Sequence, residues 1–62
     1  MTYDFEYKDL TDDYGDTYDM SGYETLSEAK KALDKIRKDH NGQISVTQTW
    51  KYSDDGDYKG SW

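Results

Sequence analysis

Residues 25–42 read TLSEAKKALDKIRKDHNG, and they are the one stretch of the chain with a helical period. Leu26, Ala29, Leu33, Ile36 and His40 recur at spacings of three and four, which places them on a single stripe. Thr25-Leu26-Ser27-Glu28 has the form of a capping box, with the threonine hydroxyl taking the Glu28 amide and the glutamate reaching back to the Thr25 amide. Asn41-Gly42 supplies the left-handed residue on which helices end. Outward from this helix in both directions the sequence is short, aromatic and alternating, broken by Gly and Asp.

On the N-terminal side, residues 2–10 (TYDFEYKDL) alternate Tyr3, Phe5 and Tyr7 with Asp4, Glu6 and Lys8, the pattern of a half-buried strand. Thr11 to Asp16 has the Asx-and-glycine chemistry of a turn. A second strand follows over Thr17 to Tyr23, weakened by Gly22 as an edge or bulged strand tolerates. On the C-terminal side, Gln43 to Ser53 alternates again. Ile44, Val46, Trp50 and Tyr52 share one face with Gln48 as the odd member, and Ser45, Thr47, Thr49 and Lys51 share the other. Asp54-Asp55-Gly56-Asp57 is a hairpin signal, and a short last strand is expected over Tyr58 to Trp62.

The expected fold is α+β, in the order β-β-α-β-β. A four-stranded antiparallel sheet of order 2-1-3-4 carries one helix on one face, with the two richest strands central. A parallel pairing of the third strand with the second, through a right-handed crossover, is the less favoured arrangement. The expected core is Tyr3, Phe5, Tyr7, Leu26, Ala29, Leu33, Ile36, Ile44, Val46, Trp50 and Tyr52. The opposite sheet face has nothing in the chain to cover it.

Sixty-two residues make one domain, 1–62, small enough to be marginal in stability. Seven Tyr, two Trp and one Phe against three Leu, two Ile and one Val mean a core built of rings. Without cysteine there are neither disulfides nor thiolate metal sites, and one histidine makes no metal cage. No metal or cofactor is expected. An EF-hand register starting at Asp13 puts Glu24 at its twelfth position but Gly15 and Tyr18 where a ligand and the glycine belong, so it fails. His40 is the only neutral-pH base among many hydroxyls, and its place at a helix C-terminus is that of a cap. The chain reads as non-enzymatic. No apolar run reaches membrane-spanning length and no signal-peptide layout opens the sequence, so a cytoplasmic location is expected.

Charge is unevenly distributed. Residues 1–24 hold eight acids against one base, residues 25–42 five bases against three acids, and residues 43–62 three acids against two bases, for a total of −6. The helix charges are those of an ordinary solvated face: basic side chains toward the C-terminal end, Glu28 near the start, and Asp34–Lys38 and Lys35–Asp39 at i,i+4. The acidic first third either serves solubility and edge protection or forms a site. Direct nucleic-acid binding is not expected of it, because phosphate contact needs Lys and Arg, and neither is a membrane surface. Carboxylates spaced along a strand and across to its neighbour, at about 6.6 and 4.8 Å, approach the charge density of a nucleic-acid backbone. The candidate partner-binding residues are therefore Asp4, Glu6, Asp9, Asp12, Asp13, Asp16, Asp19 and Glu24. Any of Tyr14, Tyr18, Tyr23 and Trp62 left exposed is a candidate anchor beside them.

Small size, acidity, lack of cysteine, abundance of tyrosine and one helix on a short sheet together resemble a class of phage-encoded inhibitors that imitate DNA. Anti-CRISPR proteins and the viral inhibitors of uracil-DNA glycosylase belong to it. The resemblance implies a non-enzymatic blocker, in the cytoplasm of a bacterial host, of the basic groove of a DNA-binding protein or CRISPR effector complex; a monomer is expected over a dimer. The alternative is a small structural or adaptor domain that self-associates, or binds another protein, through the uncovered sheet face.

Overall fold

The computed structural model describes all 62 residues. β1 (Thr2–Asp9), β2 (Thr17–Tyr23), α1 (Leu26–Asp39) and β3 (Ile44–Tyr52) follow one another along the chain. The sheet has three strands in the order β2-β1-β3, both pairings antiparallel. The most strongly alternating strand is thus central, and β3 lies beside it.

The expected fourth strand does not form. Gly56 N bonds Ser53 O and Ser53 N bonds Asp57 O, both at 2.9 Å, so the Asp-Gly turn does reverse the chain. Beyond it only Tyr58 bridges Tyr52, and Lys59 N and Gly60 O both bond Lys51 at 2.8 Å. Gly60 then adopts φ +115°, a conformation that L side chains rarely take and a strand does not use. The chain leaves the ladder there and swings Trp62 onto the core.

Helix α1 begins as its first turn dictates. Thr25, extended at φ −128°, accepts the Glu28 amide on its side chain at 3.1 Å. The return bond from Glu28 is not made, so only half of the capping box is present. At the other end Gly42 N bonds Arg37 O at 2.7 Å and Asn41 takes φ +53°. The expected i,i+4 ion pairs are not in contact, and the helix holds only Arg37–Asp34, at 4.0 Å.

Phe5, Tyr7, Ala29, Leu33 and Ile44 are the buried residues. Met20, Tyr23, Ala32, Ile36, Val46 and Trp62 pack around them. Helix α1 lies over β1 and β2. Trp62 meets Phe5 edge-on with centroids 6.1 Å apart and donates from Nε1 to the Asp4 carbonyl at 2.8 Å. Thr49 Oγ1 holds the Trp62 carbonyl at 2.8 Å.

Four of the expected core residues are not part of it: Tyr3 and Leu26 are only half-buried and stand outside the packed cluster, and Trp50 and Tyr52 are on another face. Between Glu6 and Tyr7 the β1–β3 register slips: Tyr7 faces Val46, but Glu6 faces Gln48 and Phe5 faces Thr49. One extra residue in β3 inverts everything after it. Ile44 and Val46 stay with the core, whereas Trp50 and Tyr52, opposite Asp4 and Thr2, pass to the face away from the helix. Trp62 is the tryptophan of the core.

A second slip lies between Tyr3 and Phe5 on the β2 side, where Gly22 has φ +86°. Asp4 is left without a partner residue on β2. Its carboxylate accepts Gly22 N at 3.2 Å and its carbonyl takes the Trp62 indole, so both irregular positions are satisfied.

Candidate functional site

Strand alternation sends Asp4 and Glu6 to the face opposite Phe5 and Tyr7, where no helix lies. Asp19 of β2 is the direct partner of Glu6, and Trp50 of β3 is the direct partner of Asp4. These three carboxylates form one group on the open face. Neighbouring strands stand about 4.8 Å apart and alternate residues about 6.6 Å. The crowding has a titration consequence. Desolvation and the adjoining Asp19 carboxylate hold the Glu6 pKa above its ordinary value, partly offset by a hydrogen bond from Thr47.

A second group sits at the β1–β2 hairpin tip, built by Asx chemistry. Asp12 Oδ1 accepts Tyr14 N at 3.0 Å, and Gly15 N bonds Asp12 O at 3.1 Å. Asp13 and Asp16 are exposed on this tip, and Tyr14, 91% exposed, projects among them. Their field reaches Tyr18, whose hydroxyl pKa is raised chiefly by Asp12, with Asp16 and Asp9 adding to it. Lys8, the one cation of the first third, lies along the tip, with its Cε 3.1 Å from where a Cβ on Gly15 would stand.

Of the other two candidates, Asp9 separates from both groups and Glu24 from the tip. Asp9 ends β1 on the helix side, where its carboxylate takes Thr11 N at 2.9 Å and Thr11 Oγ1 at 2.6 Å. His40 Nε2 is 3.6 Å away, and its Nδ1 donates to Ile36 O at 2.8 Å. The Thr11 hydrogen bonds, then the charge of His40, hold Asp9 below its usual pKa. Glu24 is exposed at the far end of β2. Seven strand residues at about 3.3 Å each put it roughly 20 Å from the tip.

Among the eight acids of the first third, only Asp9 lies within 4.0 Å of a cationic group. No lysine or arginine of α1 reaches any of them. Of the four aromatic candidates, Tyr14 and Tyr18 are exposed, while Tyr23 stacks on Phe5 at 5.8 Å and Trp62 is in the core.

An aromatic cluster beside the acids escapes the sequence reading. Trp50 and Tyr52 meet edge-on at 6.1 Å, and Tyr52 and Tyr58 follow at 5.8 Å, with Tyr58 53% exposed. The signal for it is Gln48, the polar residue that interrupts the apolar face of β3 at the register slip. No helix of the chain is long and apolar enough to cross a membrane. Comparison with protein-family models, curated proteins and solved structures finds no match to this chain.

Proposed function

We propose that this protein is a non-enzymatic inhibitor that occupies the basic nucleic-acid-binding site of another protein with an acidic, DNA-mimicking surface. The observation that carries the reading is the freedom of the carboxylates. Asp4, Glu6 and Asp19 on the open face, and Asp12, Asp13 and Asp16 at the tip, have no cationic partner within the molecule. Seven net negative charges in 24 residues cost a small domain stability through self-repulsion. An external basic groove neutralises them. The long axis of the molecule, 37 Å, is comparable with one turn of duplex, about 34 Å. Asp4, Glu6, Asp12, Asp13, Asp16 and Asp19 form the binding surface in this reading, with exposed Glu24 beyond its Asp4 end; Asp9 serves the fold.

The test is capture followed by competition. Immobilised protein is exposed to a bacterial lysate at low salt, and the retained partner is identified. The partner is expected to be a nucleic-acid-binding protein that duplex DNA displaces and that rising salt releases steeply. A partner retained undiminished in excess DNA would refute the mimicry.

A further inference from the structure

We propose that the open face of the sheet reads arginine: Trp50, Tyr52 and Tyr58 stack guanidinium groups of the partner while Asp4, Glu6 and Asp19 pair with them. The inference rests on the proposed acidic surface and specifies the partner's side chains there. Two kinds of group meet on this face because of the β3 register slip. Trp50 is the cross-strand partner of Asp4, and Gln48, two residues earlier, is the partner of Glu6. Trp50 and Asp4 thus stand on adjacent strands at cross-strand distance, about 5 Å between Cβ atoms, with Tyr52 and Tyr58 extending the rings to one side and Glu6 and Asp19 extending the carboxylates to the other.

That combination suits one cation better than the other. A guanidinium is planar, stacks on aromatic faces and presents a rigid fork to a carboxylate, so a single arginine can satisfy both groups at once. A lysine ammonium is a compact, strongly hydrated point charge that gains from the carboxylates but little from stacking. The acids alone would not distinguish them.

The rings are not placed here by the demands of the core. Trp62 already fills the tryptophan position against Phe5, and its Nε1 has a partner. Trp50 Nε1 is buried without one, a placement that costs stability. Tyr58 is largely open to solvent and its hydroxyl reaches only Ser61 Oγ, at 3.5 Å. Charge complementarity decides the occupant: a face with three unpaired carboxylates beside three rings suits a cationic partner rather than an apolar one.

The experiment measures binding of length-matched arginine and lysine homopeptides to the intact protein at low salt by fluorescence anisotropy. Sedimentation fixes the oligomeric state, and circular dichroism checks that each variant is folded. The arginine peptide is expected to bind about three- to tenfold more tightly. Tyr58→Ala and Tyr52→Leu should erase that preference while leaving the lysine peptide unaffected, and Tyr58→Phe should retain it. Glu6→Gln with Asp19→Asn should weaken both peptides. Equal affinity for the two peptides would overturn the inference and leave the acidic surface standing, whereas binding of neither would sink both. A dimer that Tyr58→Ala dissociates would also overturn it, because a second copy would then occupy the face.

Discussion

Glu6 and Asp9 are three residues apart on one strand, and their surroundings push them in opposite directions. Glu6, beside Asp19 on the open face, has its pKa raised above the ordinary 4.5. The folded state therefore binds this proton more tightly than the unfolded chain does. Ionised Glu6 costs stability at neutral pH, and that cost disappears as the pH falls through the raised pKa. Glu6→Gln should raise the melting temperature at pH 7, with the gap to the parent closing below pH 4.5. Asp9 is depressed below its ordinary 3.8 by the Thr11 hydrogen bonds and by His40. It contributes stability above its unfolded pKa and loses that contribution as the pH falls through the folded one. Asp9→Asn should therefore lower the melting temperature at pH 7, and the deficit should shrink on acidification below pH 3.8. Thermal melts of both variants from about pH 3 to pH 7 check the two signs together. Parallel curves would show that the two carboxyls do not differ in environment.

At the scale of the elements, the decisive joints are the two register slips and the C-terminal turn at Gly60. Trp62 closes the part of the core that α1 leaves uncovered, and its indole satisfies the Asp4 carbonyl beside the β2 slip. Truncating a buried tryptophan costs about 3–5 kcal/mol. Trp62 is only partly buried, so Trp62→Ala should cost about 2–3 kcal/mol, against a total of roughly 3–9 kcal/mol for a domain of this length. The melting point should fall by at least about 10 °C. Trp62→Phe, which keeps most of the packing and loses the hydrogen bond, should cost about 1 kcal/mol. Equal losses from the two would show that the ring itself contributes little. The same joints explain how far the fold is legible in the sequence. Thr25, Glu28 and the Leu26–Ile36 stripe fix the helix locally, and the strict alternation of Tyr3 to Lys8 fixes β1. Period two, counted from Ile44, assigns Trp50 and Tyr52 to the core. A single inserted residue reverses that parity, and pattern alone does not register it. Gln48, breaking the apolar row, marks where the count fails. The last strand fails for a related reason: Tyr58 and Trp62 have the right spacing, but Gly60 between them takes a positive φ, and Trp62 meets Phe5 edge-on instead of continuing a ladder.

For the whole molecule, what matters is where a net charge of −6 is concentrated. The acidity of the first third is plain in the sequence. Its division into an open-face group, a tip group and an Asp9 tied into the fold is not, because it depends on strand parity and on where the hairpin bends. Electrostatic steering acts over distances set by screening, about 10 Å at 0.1 M salt and about 3 Å at 1 M. The tip acids should therefore govern encounter with a basic partner more than they govern the bound state. Replacing Asp12, Asp13 and Asp16 together with asparagine removes half the net charge. It also preserves the local fold, because the side-chain oxygen of an asparagine at position 12 can still accept the Tyr14 amide as Asp12 does. Stability should be unchanged or slightly higher, since self-repulsion is relieved. The association rate with the captured partner should fall about tenfold at low salt, with a much smaller change in the dissociation rate, and the difference should vanish near about 1 M salt. Stopped-flow association across a salt series measures all three. An association rate that is the same for parent and triple variant at every salt concentration would mean that the tip carboxylates steer nothing and serve solubility alone.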